Sequence, residues 1–156
     1  MSELFTIGYE GATPSALADA LVEAGVEVLV DVRAVANSRR PGFSKRALAA
    51  GLDERGVGYL HLRALGTPAD GRAAARAGRH AEMRTIFEEH LRTEGAQDEL
   101  RDLKELVRTG RRLCLLCFER EPEHCHRQMI AERVDAALDD VTIAHLHPLP
   151  AGFVPD

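Results

Sequence analysis

The sequence predicts an α/β fold, a three-layer sandwich with a mostly parallel central sheet of about five strands. Three observations predict it. Short β-prone segments alternate with segments of helical periodicity along all 156 residues. Most of the β-prone segments are solidly apolar rather than alternating, as strands buried on both faces of a parallel sheet require. No repeat or linker divides residues 1–156, and that length suits a single domain.

The first element is Leu4 to Tyr9, a β-prone run closed by Gly8 and Gly11. Thr13-Pro14 then supplies an N-cap with proline at the first helical position, and Leu17, Ala20, Leu21 and Ala24 recur at helical spacing until Gly25. Val26 to Val32 is a short, valine-rich run that reads as a buried strand. These three elements make one βαβ unit. Ser44 is placed to cap a second helix, which runs to about Arg55 and stops at Gly56. Val57 to Leu62 reads as a third strand.

Residues 66–80 are rich in Gly, Ala and Arg without a clear apolar face, and are expected to form a mobile loop or lid. A helix carrying Met83, Ile86, Phe87 and Leu91 follows, then another carrying Leu100, Leu103, Leu106 and Val107 and closed by Gly110. Leu113 to Phe118 is the plainest strand in the chain. Glu121-Pro122 is expected to open a helix bearing Met129, Ile130, Val134 and Leu138. Val141 to Leu146 is the last strand, followed by a proline-rich tail.

Composition narrows the function classes. A net charge of −5 and an aromatic share of 4% disfavour a general nucleic-acid binder, which needs cationic surface and stacking platforms. No early apolar run resembles a signal peptide and no stretch is long enough for a membrane span, so a cytoplasmic location is expected. In that compartment the three cysteines are expected to remain thiols.

Parallel sheets bind ligands outside the carboxyl ends of their strands. That rule selects the loops at 8–11, 33–41, 62–66 and 118–127. In the last of these, Cys117 ends a strand while Cys125 and His126 fall in the first turns of a helix, where the N-terminal dipole favours a thiolate. Cys125 is therefore the candidate reactive thiol, with Cys117 second. Cys114 belongs to the core, because residues three apart on a strand point to opposite faces and Cys114 and Cys117 cannot act as a unit. Glu119 is a candidate general base. Cys117, His124, Cys125 and His126 also offer the donor types zinc and iron take, although their spacing matches no standard zinc motif and no metal is assigned. Asp31 and Arg33 share a face at the end of a strand, either to orient a catalytic group or to pair structurally. Arg39, Arg40 and Lys45 flank Pro41 to Ser44 and, with the helix start, suit an anion. Histidines 61, 80, 90, 145 and 147 show no recognisable partner.

These residues also carry a resemblance. Thr6 to Gly11, Asp31-Val32-Arg33, Ser38-Arg39 with Pro41 to Ser44, Leu65-Gly66, and Leu115 to Glu119 leading to Cys125-His126-Arg127 resemble domain-of-unknown-function family 488. The blocks span nearly the whole chain in order. The resemblance implies a small bacterial or archaeal α/β protein and a shared site of Cys117, Glu119, Cys125, His126, Arg127, Asp31 and Arg33. It assigns no activity. Where the family often has a second glycine after Leu65-Gly66, this chain has Thr67.

The leading expectation is an enzyme acting on an anionic ligand, phosphate-bearing or nucleotide-like. Cys117, Glu119, Cys125 and His126 would carry the chemistry, and Gly8, Tyr9, Asp31, Arg33, Arg39 and Arg127 would bind the ligand. Two alternatives stand beside it. One is a non-catalytic ligand- or partner-binding module. The other is a rhodanese-like sulfurtransferase or a metal-binding protein, and the acidic Glu119 to Glu123 stretch after Cys117 weighs against its rhodanese form.

Overall fold

The structure is a computed structural model describing residues 2–152. Its sheet comprises β1 (Ser2–Gly8), β2 (Val28–Asp31), β3 (Gly58–His61), β4 (Leu113–Cys117) and β5 (Val141–Leu146) in the order β3-β2-β4-β1-β5. Every pairing is parallel. Helices α1 (Pro14–Glu23) and α2 (Lys45–Glu54) cover one face, where Leu17, Leu21, Leu48 and Leu52 pack on Phe5, Ile7, Leu29 and Leu116. Helices α3 (Ala69–Arg76), α4 (His80–His90), α5 (Glu94–Arg108) and α6 (His126–Ala137) cover the other, packing Ala74, Met83, Phe87, Leu103 and Ile130 on Leu4, Val30, Leu113 and Leu115. The three-layer sandwich with a parallel sheet is thus the observed architecture.

Strand β4 is central and buried at every position, which is why its sequence is the least ambiguous in the chain. Cys114 lies in the α1–α2 layer as a free thiol, and burial raises its pKa. The thiol therefore stays protonated and inert.

Four sequence expectations are revised. Residues 69–76 are a helix, not a mobile loop; α3 buries only Gly71 and Ala74, side chains too small to mark an apolar face. The last helix starts at His126 rather than Glu121: Pro122–His124 form a separate 3-10 turn and Cys125 becomes the N-cap of α6. The third strand is only Gly58–His61. Ser44 occupies the N-cap of α2, but its hydroxyl bonds Ser38 instead of capping the helix.

Register sets the position of the site. Gly8 pairs with Cys117, Asp31 with Leu116 and with His61, so all four strands end at one edge. The connection leaving β1 runs to α1 on one face, whereas the one leaving its neighbour β4 runs to α6 on the other. The two loops part at that point and open a crevice over the ends of β1 and β4.

Candidate functional site

The crevice is a pocket of about 360 Å³ lined by Tyr9, Arg33, Glu119 and His124, by Arg72 and Arg76 of α3, and by the three residues Cys117, Cys125 and His126. Apolar side chains, Val35, Met83 and Phe118 among them, complete its wall.

Cys117 and Cys125 meet at its floor. Their sulfurs are bonded as a disulfide across a sequence separation of 8, with the Cα atoms 7.2 Å apart. This differs from the expectation of three separate thiols, and Cys114 alone is free. Cys117 is 2% exposed and Cys125 3%, so only a small molecule entering the pocket reaches them.

Each sulfur has its own polar neighbours. Cys125 Sγ lies 3.6 Å from Nδ1 of His126. The other ring nitrogen, Nε2, is 2.8 Å from the Val32 carbonyl oxygen, which only accepts. The proton therefore resides on Nε2, and the Nδ1 lone pair faces the sulfur. Burial lowers the His126 pKa to about 4, so the ring is neutral at neutral pH. Cys117 Sγ lies 3.1 Å from Nη1 of Arg127 and 3.7 Å from Oε2 of Glu119. Burial lowers the Arg127 pKa to about 10, which still leaves it a cation at neutral pH, and burial raises that of Glu119. A cation beside one sulfur and a proton acceptor beside the other both favour thiolates when the pair is reduced.

Arg127 is fully buried and does not line the pocket. Its Nε donates to Thr6 Oγ1 at 3.1 Å, Nη1 to the Glu119 carbonyl, and Nη2 to the Arg120 carbonyl at 3.1 Å. It ties the β4–α6 loop to β1 from beneath. Neighbouring helical residues point about 100° apart, so His126 facing the pocket turns Arg127 away from it. Gly8 makes the tie possible: a Cβ there would stand 1.7 Å from the Glu119 carbonyl oxygen.

Asp31 and Arg33 form a buried ion pair, with Arg33 Nε and Nη2 donating to the carboxylate at 2.9 and 2.8 Å. The same carboxylate accepts the Arg33 backbone N–H and the Tyr59 hydroxyl. Arg33 Nη1 donates to Phe43 O at 2.8 Å and to the Tyr9 hydroxyl at 3.3 Å. Burial pulls the Arg33 pKa down, but the Asp31 carboxylate outweighs it and the guanidinium stays charged. Arg33 lines the pocket while Asp31 does not.

Of the remaining expected ligand-binding residues, Tyr9 lines the pocket, whereas Gly8 and Arg39 do not; Arg39 is exposed on its loop. Arg40 is a strut that donates to the carbonyls of Tyr9 and Ala12 and stacks on Phe43. Sequence reading missed Arg72 and Arg76, because α3 itself was missed; spaced four apart, they lie on one helix face over the pocket. Three of the unassigned histidines hold specific partners: His61 the Arg33 carbonyl, His90 the Ala64 carbonyl, and His145 the Thr6 hydroxyl.

Cys117, Cys125 and His126 offer two sulfurs and a ring nitrogen within 4.8 Å of one another, and are the residues that could hold a soft or borderline metal ion. His124 lines the same pocket but lies outside this group. No helix among the described residues is long and apolar enough to cross a membrane.

A parallel α/β sandwich with a Cys/His/Arg cluster at its switch point is the class that fold and site define. A family model described as "Domain of unknown function DUF488" matches residues 13–134, and the chain belongs to that family. No curated protein and no solved structure matches it with significance.

Proposed function

We propose that the protein is a thiol-dependent enzyme acting on a small anionic molecule bound between α3 and the ends of β1 and β4. The observation that carries this reading is the convergence of Cys117 Sγ, Cys125 Sγ and the unprotonated Nδ1 of His126 at the floor of a pocket overhung by Arg72 and Arg76.

In the reduced chain, Cys125 is the nucleophile. It occupies the N-cap position of α6, where the helix dipole stabilises negative charge, and its proton has an acceptor in Nδ1. At that separation the thiolate–imidazolium attraction is about 5 kcal/mol for an effective dielectric near 20, which works against the burial that otherwise keeps the ring neutral. Arg72 and Arg76 supply the anion's counter-charge. Arg72 is fixed by an Nη1 bond to the Thr67 carbonyl, and Arg76 is exposed with no ion-pair partner among the described residues.

The loop after Cys117 argues against a rhodanese-like mechanism. Such a loop would aim N–H groups at an anion above the cysteine, whereas here the carbonyls of Glu119 and Arg120 point at Arg127.

Charge selection provides the test. Reduced protein is alkylated at Cys125 with iodoacetate, an anion, and with neutral iodoacetamide. The ratio of the two rates falls about tenfold or more in an Arg72→Ala, Arg76→Ala double variant. An unchanged ratio would remove the anion from the reading.

The three-donor cluster favours one second reading, a metal site. Metal content of the reduced protein decides it, since a stoichiometric zinc or iron ion would displace thiol chemistry as the function.

A further inference from the structure

We infer that the reaction is thiol–disulfide exchange, in which Cys117 and Cys125 together reduce a low-molecular-weight anionic disulfide and are returned to the dithiol by a second small thiol. This rests on the thiol reading above and names its substrate class.

Two features point past a single nucleophile. The sulfurs converge from different elements, the end of β4 and the N-cap of α6, onto one pocket floor. The Cα separation of 7.2 Å lies just beyond the roughly 4.4–6.8 Å usual for a disulfide, so it suits two separate thiols that draw together when the bridge closes. Each sulfur also has its own proton-handling neighbour: Nδ1 of His126 for Cys125, and the Glu119 carboxyl with the Arg127 cation for Cys117. A bridge serving only as a staple needs neither.

Burial and volume set the substrate class. Residues Cys117 and Cys125 are only 2% and 3% exposed, too little for a protein disulfide to reach, whereas a pocket of about 360 Å³ admits a small one. Arg72, half-buried, and Arg76, exposed, both in the pocket lining, select carboxylates or similar anionic groups on it.

The steps balance without a further oxidant. Cys125 passes its proton to His126 and attacks one sulfur of the substrate RSSR. The RS–SR bond breaks, a Cys125–SR mixed disulfide forms, and RS⁻ takes the proton from His126 to leave as RSH. Cys117, its proton passed to Glu119, then attacks Cys125 Sγ. The Cys117–Cys125 bond forms, the Cys125–SR bond breaks, and the second RS⁻ recovers the proton from Glu119. Two electrons have moved from the cysteine pair to the substrate, now 2 RSH. Two equivalents of a second small thiol run the same steps in reverse and restore the dithiol.

Glutathione disulfide is the anionic probe and 2-hydroxyethyl disulfide the neutral one, with thiols counted by alkylation and mass mapping. Reduced wild-type protein is expected to lose two of its three thiols, leave Cys114 free, and release two glutathiones per chain. Cys117→Ser is expected to stop at one glutathione adduct on Cys125, and Cys125→Ser to form no adduct at more than a tenth of the wild-type rate. Retention of all three thiols by the folded wild type would overturn the exchange, as would an adduct on Cys117 in C125S at the wild-type rate. If neither disulfide oxidises the pair while iodoacetate still discriminates at Arg72 and Arg76, exchange falls and the anionic thiol-enzyme reading survives. If both probes oxidise it equally fast, exchange stands and the anionic substrate class falls.

Discussion

Arg127→Ala is expected to lower the unfolding free energy by about 3–5 kcal/mol, measured by urea denaturation of the purified chain. Two penalties combine. Removing a fully buried long side chain leaves a cavity beneath the β4–α6 loop. It also strands the Glu119 and Arg120 carbonyls and takes one of two partners from the Thr6 hydroxyl, which keeps His145. Arg127→Lys keeps the charge but not the fork that reaches three elements at once, so an intermediate loss is expected. In R127A Cys117 also loses the cation 3.1 Å from its sulfur, and its alkylation at neutral pH slows; Arg127→Lys, which keeps the charge, slows it less. A loss below about 1 kcal/mol in R127A would mean that the loop is held in some other way.

Asp31→Asn should cost a similar amount, about 3–5 kcal/mol, because it leaves the buried Arg33 guanidinium uncompensated. The effect exceeds that of a surface pair because Asp31 is inaccessible and Arg33 nearly so. The replacement is close in shape, but an amide nitrogen now faces donors from Arg33 and from Tyr59. Adding Arg33→Met to D31N should recover much of the loss, since the second change removes the orphaned charge. Additive losses in the double variant would show that the pair is not coupled. The pair holds Phe43 through its carbonyl and Tyr9 through its hydroxyl, so both single variants also loosen one wall of the pocket.

The same residues show what a sequence can and cannot disclose. Strand β4 and the position of the Cys117–Cys125 region were legible because a fully apolar run ending in polar residues has few other readings. The split of roles among the arginines was not. Arg33, Arg39 and Arg127 were all expected to hold an anion, with pairing to Asp31 as the alternative for Arg33; Arg33 pairs with Asp31 while lining the pocket, Arg39 sits exposed on its loop, and Arg127 lies beneath the site bracing backbone carbonyls. Direction of approach decides this, and it depends on the start of α6 at His126. Pro122 hid that start by resembling a first helical position, when it opens a separate 3-10 turn. Helix α3, with Arg72 and Arg76, was hidden because Gly71 and Ala74 pack through their smallness rather than their hydrophobicity. The Gly71 position shows it, since a Cβ there would come 2.5 Å from the Thr67 methyl group.

The chemistry at this site requires His126 to act on Cys125, and the pH profile of Cys125 alkylation by iodoacetamide tests this most directly. The measurement is made on Cys117→Ser, where no bridge forms, with and without His126→Gln. Glutamine keeps a donor to the Val32 carbonyl and removes the Nδ1 acceptor. Cys125 is expected to react at pH 7 at least tenfold faster with His126 present, near its high-pH plateau. Identical profiles in the two proteins, both rising only near the ordinary thiol pKa of about 8.5, would contradict the account.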